Sequence, residues 1–92
     1  AGEDTHLELK VKLSNPERIT QGIVALANTN GGTIIFGVSD QLRIEGVSSP
    51  EDVQAELVRI CRDEIVPPLV PVIDRIAFDS GKIVVAIDIE PR

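Results

Sequence analysis

Between Ala27 and Val38 the chain reads Ala-Asn-Thr-Asn-Gly-Gly-Thr-Ile-Ile-Phe-Gly-Val, and a glycine turn of this kind offers one chemistry, the cradling of a phosphate by backbone N–H groups. Phosphate cradles sit before a helix, where unbonded N–H groups and the helix dipole converge. Here the apolar spacing puts a helix before the turn and a buried strand after it. Asn28, Asn30, Gly31 and Gly32 are therefore read as a helix cap and a tight reversal that lets the chain pass close to a neighbour. No G-x-x-x-x-G-K-[ST] loop occurs either, so the chain has no ATP site of the usual kind.

Cations are the second source of chemistry. If Lys10, Lys12, Arg18 and Arg43 converge, they make a local basic edge for a nucleic-acid backbone; dispersed, they are ordinary solvated side chains. The overall balance opposes a broad phosphate-binding surface, since 15 Asp and Glu face nine Lys and Arg, a formal charge of −6. Much of the acid lies in one segment, where Glu51, Asp52, Glu56, Asp63 and Glu64 outnumber Arg59 and Arg62. With Phe36 and Phe78 as the only aromatics, the stacking platforms of common single-strand readers are excluded. The single Cys61 falls in a helical apolar pattern and reads as a buried packing thiol rather than a nucleophile or metal ligand. It rules out a disulfide within the chain and fits a reducing, cytoplasmic setting. No apolar run approaches the ~18 residues of a membrane span, so no membrane partner is expected.

Ninety-two residues make one domain, 1–92. The absence of Met and the opening Ala1-Gly2 fit a domain excised from a longer protein, whose other domains are then expected partners. From Asp4 to Leu13 the residue types alternate, Asp4, His6, Glu8, Lys10 and Lys12 on one face and Leu7, Leu9, Val11 and Leu13 on the other, which predicts a half-buried strand. Asn15 and Pro16 then start a helix with Ile19, Ile23, Leu26 and Ala27 on its apolar stripe. A strand over Thr33 to Val38 follows, and the Ser39-Asp40-Gln41 turn leads into a short strand from Arg43 to Val47. Ser49 and Pro50 open a second helix, with Val53, Leu57, Ile60, Cys61 and Ile65 at helical spacing, which Pro67-Pro68 ends. Two strands, Val72 to Phe78 and Lys82 to Ile89, close the chain as a hairpin about Asp79-Ser80-Gly81. The expected fold is α+β, a two-layer mixed sheet with two helices in the order βαββαββ.

Three segments together carry a family resemblance: Glu3-Asp4-Thr5-His6-Leu7-Glu8-Leu9-Lys10, Ala25-Leu26-Ala27-Asn28-Thr29-Asn30-Gly31-Gly32 and Ile35-Phe36-Gly37-Val38-Ser39-Asp40. In this order they resemble the Schlafen AlbA-like domain over nearly the whole chain, with Gly37 part of the same structural motif. The resemblance implies a DNA- or RNA-binding module of a larger transcriptional regulator or helicase-related protein, needing no cofactor to bind. Some Schlafen proteins cleave RNA with acidic residues around a divalent cation, and those carboxylates match Glu3, Glu8 and Asp40 here. The resemblance thus carries an alternative, a ribonuclease using Mg²⁺ or Mn²⁺ at these three residues, with Lys10 beside Glu8 to meet the phosphate. Read as plain residues, Glu8 and Lys10 are the polar face of a strand and Asp40 is a turn residue. A third reading is an assembly module, a homodimer paired through the apolar hairpin Val72 to Ile89.

Overall fold

Asn15 takes a left-handed backbone and its Oδ1 accepts the Arg18 N–H at 3.4 Å, while Pro16 occupies a position whose N–H has no helical partner to lose. These residues start α1 (Pro16–Ala27) in a computed structural model that describes residues 6–92. Before it comes β1 (His6–Lys10) and after it β2 (Gly32–Phe36). The chain continues through α2 (Pro50–Arg59), a π-helical turn Ile60–Glu64 that prolongs α2, β3 (Val72–Ala77) and β4 (Ile83–Ile89). The four strands form one sheet in the order β1-β2-β4-β3, with β1 parallel to β2 and both other pairs antiparallel.

The helices cover one face of this sheet. Ile19, Ile23 and Leu26 of α1, together with Leu57, Ile60, Cys61 and Ile65 from α2 and its extension, pack on Ile34 and Phe36 of β2 and on Val85, Ile87 and Ile89 of β4. Ile23 and Phe36 are wholly buried, and each such side chain removed from water contributes about 1.5–3 kcal/mol. The expected α+β class, the two apolar helix stripes and the closing hairpin are all present. Burial raises the pKa of the Cys61 thiol, in keeping with a packing residue.

Three local expectations are corrected. The Arg43–Val47 run supplies only a single bridge, Ile44 to Val38, because Gly37 and Gly46 turn the chain with positive φ and the Glu45 and Gly46 N–H groups both bond to the Gly37 carbonyl. Ser49 stands at the start of α2, but its hydroxyl makes no capping bond; its carbonyl accepts from Asp52 and Val53. The largest correction concerns β1. The described strand ends at Lys10, Asp4 and Thr5 lie outside the described residues, and the leucine face does not face the helices. Residues paired across parallel strands share a face, and here His6 pairs with Gly32, Glu8 with Ile34 and Lys10 with Phe36. The polar row thus lies on the helix side, at an edge the helices leave half-open, while Leu7 is turned to the other face and is 58% exposed.

In the turn after β2, Leu42 has φ 63° and is 73% exposed. A left-handed leucine costs roughly 1–2 kcal/mol, partly offset in any replacement by the greater unfolded-state freedom of glycine. Leu42→Gly is expected to stabilise the domain by about 0.5–1 kcal/mol, seen as a rise of a few degrees in Tm; a fall in Tm would show that the leucine makes a contact worth more than its strain.

Candidate nucleic-acid interface

The polar row of β1 is tied together by charge. Lys10 Nζ lies 2.9 Å from Glu8 Oε2, and His6 Nε2 lies 3.5 Å from Glu8 Oε1, a contact that becomes an ion pair when the imidazole carries a proton. The hydrogen bond from Lys10 is the largest influence on the Glu8 carboxyl and holds it below its ordinary value; partial burial opposes this, and His6 adds to it. Because the folded value lies below the unfolded one, the stabilisation from Glu8 is fully present above about pH 4.5 and is lost as pH falls through the lowered folded value. With the pair about one-third exposed, its worth is about 0.2–1 kcal/mol. Glu8→Gln should therefore flatten the acid side of the stability profile, measured as urea midpoints between about pH 5 and pH 3.

The four candidate cations attach to one end of the sheet, where the parallel strands β1 and β2 finish. Lys10 is the last residue of β1, and its carbonyl accepts the Gly37 and Val38 N–H groups at 2.7 and 3.2 Å. Lys12 follows in the bend leading to α1, whose first turn carries Arg18; Arg43 closes the turn after β2, where its N–H bonds Ser39 Oγ at 3.1 Å. Lys12, Arg18 and Arg43 are exposed. Among the described residues none of these three has a carboxylate partner, whereas Arg59, Arg62 and Arg75 do, and Lys82 and Arg92 bond backbone carbonyls instead. Arg59 makes a two-point bond to Glu56 and a third to Glu64, Arg62 binds Asp63 at two points, and Arg75 reaches Glu51 and Gln54. Glu45 and Asp52 line a shallow groove beside Lys12 and set two carboxylates against its charge there.

The acidic set expected for a metal fares differently. Glu3 lies outside the described residues. Asp40 is exposed on the turn after β2, and among the described residues no three His, Cys, Asp or Glu side chains converge as a cation would require. Glu8, the central member, is in contact with the Lys10 ammonium, so the described residues do not by themselves fit a divalent ion.

The family model for "Schlafen, AlbA_2" matches residues 3–92. The chain belongs to the Schlafen AlbA_2 family. No curated protein matches it. Among solved structures it is similar to the N-terminal domain, from Nitrosomonas europaea, of a protein named for its relation to the ATP-dependent DNA helicase RecG, with a TM-score of 0.77 and 21% identity. The likeness extends over 99% of this chain and 66% of that one, so this AlbA_2 domain spans just under two-thirds of the neighbour's length and shares its fold. No helix among the described residues is long and apolar enough to cross a membrane. Sequence patterning missed two features of the candidate interface: the His6 contact to Glu8, legible as an i, i+2 pair on one strand face, and the groove acids Glu45 and Asp52, which only the packing of the 45–53 segment brings to Lys12.

Proposed function

We propose that this AlbA_2 domain is a nucleic-acid-binding module of a larger helicase-related protein or transcriptional regulator, meeting the phosphodiester backbone at the end of the sheet where β1 and β2 terminate. The observation that carries this reading is the division of the cations. Those at the strand ends, Lys12, Arg18 and Arg43, lack carboxylate partners among the described residues, while Arg59, Arg62 and Arg75 are neutralised where they stand. Ligands of open sheets with parallel strands gather outside the carboxyl ends of those strands, which is where these side chains are anchored. The name of the structural neighbour, related to a DNA helicase, supports the same class of partner.

With little aromatic surface, binding rests on phosphate contacts and discriminates weakly between sequences. The test is a titration of labelled DNA and RNA at low and high salt with the parent chain and Lys12→Ala, Arg18→Ala and Arg43→Ala. Binding that is absent at low salt, or indifferent to all three substitutions, rejects the assignment. A binding module leaves RNA intact with Mg²⁺ or Mn²⁺; cleavage abolished by Glu8→Ala would instead move the assignment to the metal nuclease of Glu3, Glu8 and Asp40.

A further inference from the structure

Among the described residues no strand lies beyond β1, which forms one edge of the sheet. The Lys10 carbonyl is bonded to the Gly37 N–H, so Lys10 and, by alternation, Glu8 and His6 turn their backbone groups toward β2. Leu7 and Leu9 turn theirs to the free edge. Such a row is a template for another strand, and edge strands are commonly blunted by charge. β1 carries charge, but in an order that complements itself.

When two copies meet edge to edge about a twofold axis perpendicular to the sheet, faces remain continuous only if residues of the same parity oppose each other. With Leu9 opposite Leu9, Glu8 of each copy faces Lys10 of the other, and Leu7 faces Val11. A shift of register either way opposes Glu8 to Glu8 or Lys10 to Lys10, which is destabilising. The hydrogen-bonding residues also agree, because Leu9, whose N–H and C=O point outward, sits on the axis. On the open face the pairing covers Leu7, 58% exposed in the single chain, and just past the end of the strand it brings the 50% exposed Val11 to the seam. The opposite edge, β3, behaves otherwise: its central self-pairings set Asp74 against Asp74 or Arg75 against Arg75.

We propose that two copies of this chain associate through β1, antiparallel about Leu9, into one continuous eight-stranded sheet. Glu8 already meets Lys10 within the chain, so the ion pairs are exchanged and chiefly select the register, while the edge hydrogen bonds and the covered Leu7, Leu9 and Val11 supply the attraction. The strand proper ends at Lys10, which keeps the paired stretch short and the association reversible. For the nucleic-acid reading, on which this clause alone rests, the seam sets Lys10 and Lys12 of both copies along one line.

The test contains no nucleic acid, so it stands or falls apart from that reading. Sedimentation velocity over a concentration series should show monomer passing to dimer. Glu8→Lys and Lys10→Glu should each weaken the dimer about tenfold or more by opposing like charges, and mixing the two variants in equal amounts should restore it, because both cross-strand pairs at the seam then again join a lysine to a glutamate. In the unmodified chain, hydrogen exchange at the Leu7 and Leu9 amides should slow as concentration rises. A monomer at every concentration, a dimer indifferent to both substitutions, failure of folded variants to recover on mixing, or Leu7 and Leu9 exchange independent of concentration would each overturn the proposal.

Discussion

Gly32→Ala loosens the β1 edge of this domain, while Gly22→Ala, the same chemical change ten residues earlier in the chain, strengthens the fold. A Cβ built on Gly32 lies 2.6 Å from the His6 carbonyl oxygen and 2.9 Å from His6 Cβ, with Leu26 of α1 at 3.2 Å behind it. Backbone on one side and a buried leucine on the other leave nothing flexible to give, so β1 must move off β2. Overpacking of this kind costs about 3 kcal/mol, or roughly 10–20 °C in Tm for a domain of this size. Gly22, within α1, has no atom within 4 Å of its would-be Cβ, and alanine there gains helix propensity worth up to about 1 kcal/mol. Thermal unfolding of the two variants beside the parent checks both signs; a Gly32→Ala protein as stable as the parent would mean that β1 is not docked as described.

The second large effect is the salt dependence of binding. If Lys12, Arg18 and Arg43 each neutralise one phosphate, the logarithm of the affinity should fall with the logarithm of salt with a slope of about −2.7, so that raising salt from about 50 to 200 mM weakens binding roughly fortyfold. Lys12→Ala should reduce that slope by about one and weaken binding to all sequences alike. Arg62→Ala, at an arginine already bound to Asp63, should leave the slope unchanged. The contrast separates a local basic edge from a general response of an acidic chain to ionic strength, since in the latter case all arginines would count equally. A slope near zero removes the phosphate contacts from the account.

Local patterning made much of the fold legible. Asn15 and Pro16 mark a helix start because one side chain can cap and one residue lacks an N–H; the spacing of Ile19, Ile23 and Leu26 marks the buried stripe; Asp79-Ser80-Gly81 marks a hairpin because Gly81 accepts the positive φ it has there. The face of β1 was not legible in this way. Alternation separates His6, Glu8 and Lys10 from Leu7 and Leu9 but says nothing of which set meets the helices, and the apolar set is the natural candidate for the core. Pairing with β2 reverses that assignment, because Glu8 sits beside Ile34 and Lys10 beside Phe36, on the face that α1 and α2 already fill. The Arg43–Val47 segment has strand-like composition, yet the turns at Gly37 and Gly46 leave it one bridge.

By itself, the sequence determined the class of fold, the family and the cast of charged residues, because cap chemistry, apolar period and the Asn-Thr-Asn-Gly-Gly turn are short-range properties written in neighbouring residues. Tertiary structure alone decided which cations meet a carboxylate among the described residues and which do not. Whether Arg59 meets Glu56 and Glu64 while Lys12 meets no carboxylate among the described residues depends on how helix, bend and loop are brought together, and charge pairs at ion-pair range are fixed by distance in space rather than by order along the chain.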